Sequence, residues 1–205
     1  MSGFSRTNIA NLSFSLLETP AVSNVDTDDS PAAELIRSVW DAVRDLALCD
    51  HTWNFALKRW TDRAPVPAVQ NPAAEVWENA FSKPADCLRV LQVNPDRDNK
   101  GDRFNVEGEL VLVDASLVTL RGIARITQPG KYSVWFVEYF AARLALRIAK
   151  PLQASDAVRK SIRDEVKETL IKARGADGQE GTLDPIFANT FLAARYGDAE
   201  EWDEY

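Results

Sequence analysis

The apolar residues of this chain change period twice, from helical to strand-like and back, and that double change limits the fold more than any single residue does. Before residue 50, two segments repeat at helical spacing. From Thr7 to Glu18, Ile9, Leu12, Leu16 and Leu17 share one side, and Pro20 closes the run. Ser30 is then a good N-cap, Pro31 suits the first helical position, and Leu35, Ile36, Val39, Trp40, Val43, Leu46 and Ala47 mark a broad apolar stripe. Helical spacing returns near Ser133, with Phe136, Val137, Phe140, Ala141, Leu144, Ala145 and Ile148, and Pro151 stops it. In a fourth segment Ser155 caps, Val158, Ile162, Val166 and Leu170 recur every four residues, and Gly175 is placed to terminate. Helices are expected over about 7–18, 31–50, 134–150 and 156–174.

Between them the pattern is that of short strands. Trp53, Phe55 and Leu57 alternate with Asn54, Ala56 and Lys58, which predicts a strand leaving the second helix. After prolines at 65, 67 and 72 come Val76 to Phe81, a turn at Lys83-Pro84-Ala85-Asp86, and Leu88 to Val93. Phe104 to Glu107, a break at Gly108, Leu110 to Val113 and Val118 to Leu120, extending toward Ile126, complete the set. An antiparallel meander over about 53–126 is expected, inserted into a helical bundle of α+β class.

At 205 residues with 45% apolar composition, the chain suits one domain with a real core. No apolar run reaches the roughly 18 residues of a membrane span, and MSGFSRTNIANLSF lacks the form of a signal peptide, so synthesis in the cytoplasm is expected. Cys49 and Cys87 have no disulfide or zinc spacing and read as reduced and structural. The net charge is −7, and its distribution says more than its total. From Ala176 onward stand eight acids (Asp177, Glu180, Asp184, Asp198, Glu200, Glu201, Asp203, Glu204) and one base, Arg195, out of 31 acids and 24 bases in all. The first 175 residues are therefore balanced. A protein that wraps nucleic acid usually shows a basic excess instead, so direct DNA binding is not expected.

The stretch Cys49 to Trp60 holds the single histidine, His51, and two tryptophans. A catalytic histidine needs an orienting partner, and its neighbours Cys49 and Asp50 point elsewhere in most geometries, so packing at a helix end is the preferred reading. One histidine and two distant cysteines leave only an all-carboxylate metal site, and no Asp-x-Asp-x-Asp-Gly loop is present. No phosphate-cradling G-x-x-x-x-G-K-[ST] occurs. A carboxylate pair for glycoside cleavage stays open among 31 acids, though nothing singles one out. Asp26, Asp28 and Asp29 read as a solvated loop before a helix, and Trp135, Phe136, Tyr139 and Phe140 as core or subunit contact. No enzyme and no cofactor are expected.

The last thirty residues, 176–205, read as an extended acidic arm following a domain over 1–175. Its aromatics are costly to leave in water, and aromatic residues anchor interfaces. Phe187, Phe191, Arg195, Tyr196, Trp202 and Tyr205 are accordingly candidate contacts to a partner or a neighbouring subunit.

Several blocks carry a family likeness. Leu46-Ala47-Leu48-Cys49-Asp50-His51-Thr52-Trp53-Asn54-Phe55-Ala56 resembles the "hxWxFA" block of the phage tail tubular protein A family, the head-to-tail adaptors of tailed bacteriophages. Phe81 to Val90, with Pro84, Asp86, Leu88 and Arg89, resembles that family's "lPxDcLRv" block. Tyr139 to Ala145 resembles its "ALAxrLA" helix, and Asp177 to Thr182 with Ala194-Arg195-Tyr196-Gly197 resembles its usual ending. Asn79-Ala80-Phe81 and Arg121-Gly122-Ile123, both in the strand region, depart from the pattern. The resemblance implies a helical bundle with an inserted antiparallel β lobe, assembled as a dodecameric ring between the portal protein and the tail or nozzle of a virion. The genome would pass through the lumen, and the ring would form in the host cytoplasm. It also implies that Trp53, Phe55, Pro84, Asp86, Leu88 and Arg89 are structural. A stopper or collar component of a longer-tailed phage and a peptidoglycan-degrading virion enzyme are the alternatives.

Overall fold

Among the described residues, four serines start four α-helices. In the computed structural model, which describes residues 3–96 and 100–180, Ser5 forms a reciprocal capping box with Asn8 at the head of α1 (Arg6–Ser15). The Ser30 hydroxyl accepts from the Ala33 amide, with Pro31 in the first turn of α2 (Pro31–Cys49). Ser133 and Ser155 do the same for α3 (Val134–Ala149) and α4 (Asp156–Gln179). The first helix stops three residues short of its expected end, because the chain reverses at Glu18, which lies in the left-handed region at φ 54°.

Helix α3 is the hub, packing against α1, α2 and α4. Its apolar face, from Phe136 and Val137 through Phe140, Ala141, Leu144 and Ala145 to Ile148, is buried, and Ile9, Phe14, Ile36, Trp40, Val43 and Leu48 close over it. Rings set this core. Trp40 meets Phe140 edge-on at 4.9 Å, while Phe136 sits within 5.2 Å of Trp53, Phe55 and Tyr132, in the T-shaped geometry aromatic quadrupoles favour.

Between α2 and α3 the chain builds two small antiparallel sheets, so the architecture is α+β. One sheet has the order β1 (Leu57–Arg63), β6 (Val118–Ala124), β3 (Cys87–Val93), and the other β2 (Asn79–Ser82), β5 (Leu110–Val113), β4 (Phe104–Glu107). A simple meander is therefore not what forms. The chain alternates between sheets, and among the described residues only β4 and β5 make a hairpin, turning through Gly108 at φ +59°. Trp60, Cys87, Val93, Val118 and Leu120 of the first sheet bury against Phe81, Val111 and Val113 of the second, giving the lobe a core of its own. Ile123, with Leu88 and Leu91, instead joins the helical core and roots the lobe in the body.

Three further expectations are corrected. Residues 53–56 do not extend as a strand. The Trp53 indole donates to the Ala47 carbonyl at 2.9 Å, which folds the chain back, and Asn54–Ala56 form a 3₁₀ turn before β1 begins at Leu57. Val76 lies in a turn whose amides at 76 and 77 both donate to the Ala73 carbonyl, so β2 starts only at Asn79. Helix α4 runs through Gly175 to Gln179, taking the first residues of the expected arm into the body. Glycine at 175 costs helix stability but does not forbid helix, and an anchor at Asp177 offsets that cost.

Candidate functional site

The point where α2 ends and α4 finishes gathers the polar groups of the opening motif. Asp50, the residue capping α2, accepts from the Tyr139 hydroxyl at 2.5 Å and from an Arg143 guanidinium nitrogen, while its carbonyl accepts from Arg174 at 2.6 Å. Burial, and then the Asp50 hydrogen bond, pushes the Tyr139 phenol up to about 12. His51 meets Trp53 edge-on at 4.8 Å, and its Nε2 lies 3.1 Å from Asp177 Oδ2. The other carboxylate oxygen of Asp177 accepts from the Asn54 amide at 2.9 Å, and its carbonyl accepts from the Asn54 side chain at 2.6 Å.

Asp177 is thus a latch. It is buried, it satisfies the turn that follows α2, and it fixes the end of α4 at a point 123 residues away in sequence. Chemically, a carboxylate that holds one ring nitrogen orients an imidazole. The same imidazole also packs on the Trp53 ring. The thiols of Cys49 and Cys87 are both pushed up by burial, which favours the protonated, poorly nucleophilic form. The sequence places Asp177 at the start of an acidic arm, whereas the structure puts it in the body at the end of α4.

The residues that carry the family likeness fall on joints. Trp53 is fully buried in the ring cluster, and Phe55 packs against Tyr132 and Phe136. Pro84 is buried at the turn into β3, and Leu88 packs against the helical core. Asp86 accepts from Lys58 Nζ at 2.7 Å and from the Trp60 indole at 3.0 Å, tying that turn to β1. The Lys58 hydrogen bond holds the Asp86 carboxyl below the usual carboxylate range. Arg89 alone of the set points to solvent.

Elsewhere a groove of about 590 Å³ opens beside Arg6, Trp40, Asp41, Arg44, Asp45 and Arg125. Arg44 is buried there between Asp41 at 2.7 Å and Asp45 at 2.8 Å, and Arg125 reaches Asp45 at 2.9 Å. These charges neutralise one another and bind α2 to the segment leaving β6. Of the aromatic stripe on α3, Phe136, Tyr139 and Phe140 are core, whereas Trp135 is 48% exposed and stands with Val134, also exposed, in the first turn. Phe187, Phe191, Arg195, Tyr196, Trp202 and Tyr205 lie outside the described residues. Among the described residues, no group of three His, Cys, Asp or Glu side chains is placed to hold a metal ion, and no helix is long and apolar enough to cross a membrane. No family model matches the chain, and no curated protein matches it in sequence.

Proposed function

We propose that this chain is a structural subunit of a phage virion: a head-to-tail adaptor that forms a ring between the portal protein and the tail or nozzle, with the genome passing through its lumen. The observation that carries this reading is the position of the residues that resemble the adaptor family. Trp53, Pro84, Asp86, Tyr139 and Asp177 are the joints at which helical body, lobe and α4 meet, so the likeness falls on residues that define one architecture. A helical bundle with an inserted antiparallel β lobe is also the arrangement that the likeness implies, and here the lobe enters between α2 and α3. The exposed Val134 and Trp135 suit a subunit that buries further surface on assembly.

The role is structural rather than enzymatic, needs no cofactor, and uses the residues after Glu180 to reach a partner. The test is to mix the purified chain with a portal protein from the same genome and examine the product by negative-stain microscopy. Ring-shaped density added to the portal is the expected result, lost when the chain is cut after Glu180. A chain that stays monomeric beside its portal, or one that clears host cell wall in a zymogram, would overturn the proposal.

A further inference from the structure

Strand β4 is an outer strand of the second sheet, and among the described residues no strand lies on its far side. A row of backbone donors and acceptors left open in this way is a template for another strand. The two-residue turn at Gly108 and Glu109 decides which groups those are. It makes Glu107 and Leu110 the closing, hydrogen-bonded pair of the hairpin, and an antiparallel ladder alternates. Asn105 is therefore bonded to Leu112, while the backbone groups of Phe104 and Val106 point away from β5. The Val106 amide agrees with this, since it donates to the side-chain oxygen of Asn105 at 3.0 Å. Asn105 Nδ2 in turn donates to Glu107 Oε1 at 3.0 Å.

The five residues at this edge, Arg103-Phe104-Asn105-Val106-Glu107, are their own complement when read antiparallel. About a two-fold axis at Asn105, Phe104 stands opposite Val106 of a second copy, and Val106 opposite its Phe104. The outward groups of these residues then exchange hydrogen bonds in both pairs. On the same register Arg103 stands opposite the second copy's Glu107 at either end, an opposite-charge pair that stabilises neighbouring strands. Arg103 and Glu107 are both exposed, and among the described residues neither belongs to an ion pair. The Arg103 guanidinium lies over the Trp77 ring, 4.5 Å from its centroid, a contact that leaves its N–H donors unspent. Phe104 packs toward the first sheet, and Val106, on the same face, is 40% exposed, so an added strand would cover apolar surface as well. Slipping the register by one residue would set Phe104 against the opposite face, and slipping it by two would carry one outward residue past the end of the facing strand.

We infer that a second copy of this chain adds to the free edge of β4, antiparallel and centred on Asn105, so that the second sheets of two subunits become one continuous sheet. In the single subunit the Asn105 side chain holds the place that the incoming carbonyl takes. A two-fold contact closes on itself and is not the contact that repeats around a ring, so it belongs to the unassembled chain and does not rest on the adaptor reading. One short strand buries little surface, and the association is weak.

The test is sedimentation velocity of the full-length chain from about 10 μM to about 1 mM, a range that brackets weak pairing. A monomer–dimer equilibrium is expected. Arg103→Glu and Glu107→Arg, each alone, set like charges opposite one another at both ends and should weaken it about tenfold or more. An equimolar mixture of these two variants restores opposite charges at both ends and should dimerise again, which also shows that both are folded. Val106→Pro removes an amide that faces away from β5, so it should abolish dimers and spare the hairpin. A natural chain that stays monomeric throughout the range would overturn the inference. So would a dimer that neither charge variant weakens, since the pairing face would then lie elsewhere. Hydrogen exchange at the Phe104 and Val106 amides should slow as concentration rises. Strong protection that is equal at both ends of the range would give the edge to residues after Glu180 of the same chain, and would refute pairing between copies. Dimers formed by Asn105→Ala but not by the natural chain would make that side chain a guard against strand addition, and would refute it too.

Discussion

Replacing Asp177 with alanine should loosen the end of α4 without unfolding the rest. The Asn54 amide donates to a buried carboxylate oxygen at 2.9 Å, and a hydrogen bond to a charged acceptor is worth about 1.5–3 kcal/mol. The contact to His51 adds at most about 1 kcal/mol, because the imidazole is partly open to solvent. Alanine is a better helix former than aspartate and returns roughly 0.5 kcal/mol, while the bond from the Asn54 side chain to the carbonyl of residue 177 survives. The net loss is about 1–3.5 kcal/mol, a roughly 5- to 300-fold drop in local protection, since 1.4 kcal/mol is a factor of ten. Hydrogen exchange read by mass spectrometry or NMR reports it directly, at the Asn54 amide and at the amides of 171–180. Asp177→Asn, which keeps an acceptor for the Asn54 amide, should recover most of the protection. Unchanged exchange at Asn54 in Asp177→Ala would refute the view that this carboxylate fastens the helix end.

Three other expectations follow from the core and the lobe. Trp53→Ala removes a fully buried ring together with its hydrogen bond to Ala47, and should cost about 3–5 kcal/mol in urea unfolding. Gly122→Ala puts a Cβ 2.4 Å from the Arg89 carbonyl oxygen, a backbone atom that moves only with β3. The loss should be about 1–3 kcal/mol, with the NMR signals of β3 and β6 displaced more than those of α3. Tyr132 and Tyr139 are pushed up to about 12 by burial, above the value of about 10 for an unfolded tyrosine. Between those values the folded state holds more protons than the unfolded one, so stability present below pH of about 10 should fall as pH rises toward 12. Unfolding midpoints measured across that window, with tyrosinate absorbance followed in parallel, check the sign.

The helices were legible because their ends are local. Ser30 with Pro31, Ser133 and Ser155 announce starts through bonds that span three residues, and Pro151 announces a stop. What failed was set by distant partners. Gly175 looks like a terminator until the Asn54 amide, far upstream, captures Asp177 and draws the helix past it. The alternation of Trp53 and Phe55 imitates a strand, yet both rings enter one aromatic cluster through a 3₁₀ turn that the Trp53 indole stabilises. The later strands, from Leu88 to Val93 onward, lie within a few residues of their expected positions, but strand partners are not written in the period, which is why the lobe's alternation between two sheets is not legible in the sequence. Of the candidate site, the buried role of Trp53 could be read from its company of rings. The partner of His51 could not, since a contact across 126 residues leaves no trace in the spacing around either residue.

The chain leaves the helical body along β1 and returns along β6, and those two strands are bonded to each other, with Leu57 opposite Ile123. Exit and re-entry are therefore only about 5 Å apart at the backbone. An excursion that begins and ends at one doorway can be lengthened, shortened or exchanged without moving the walls on either side of it. Evolution, or a protein engineer, can accordingly give this body a different head while the helices beneath keep their places.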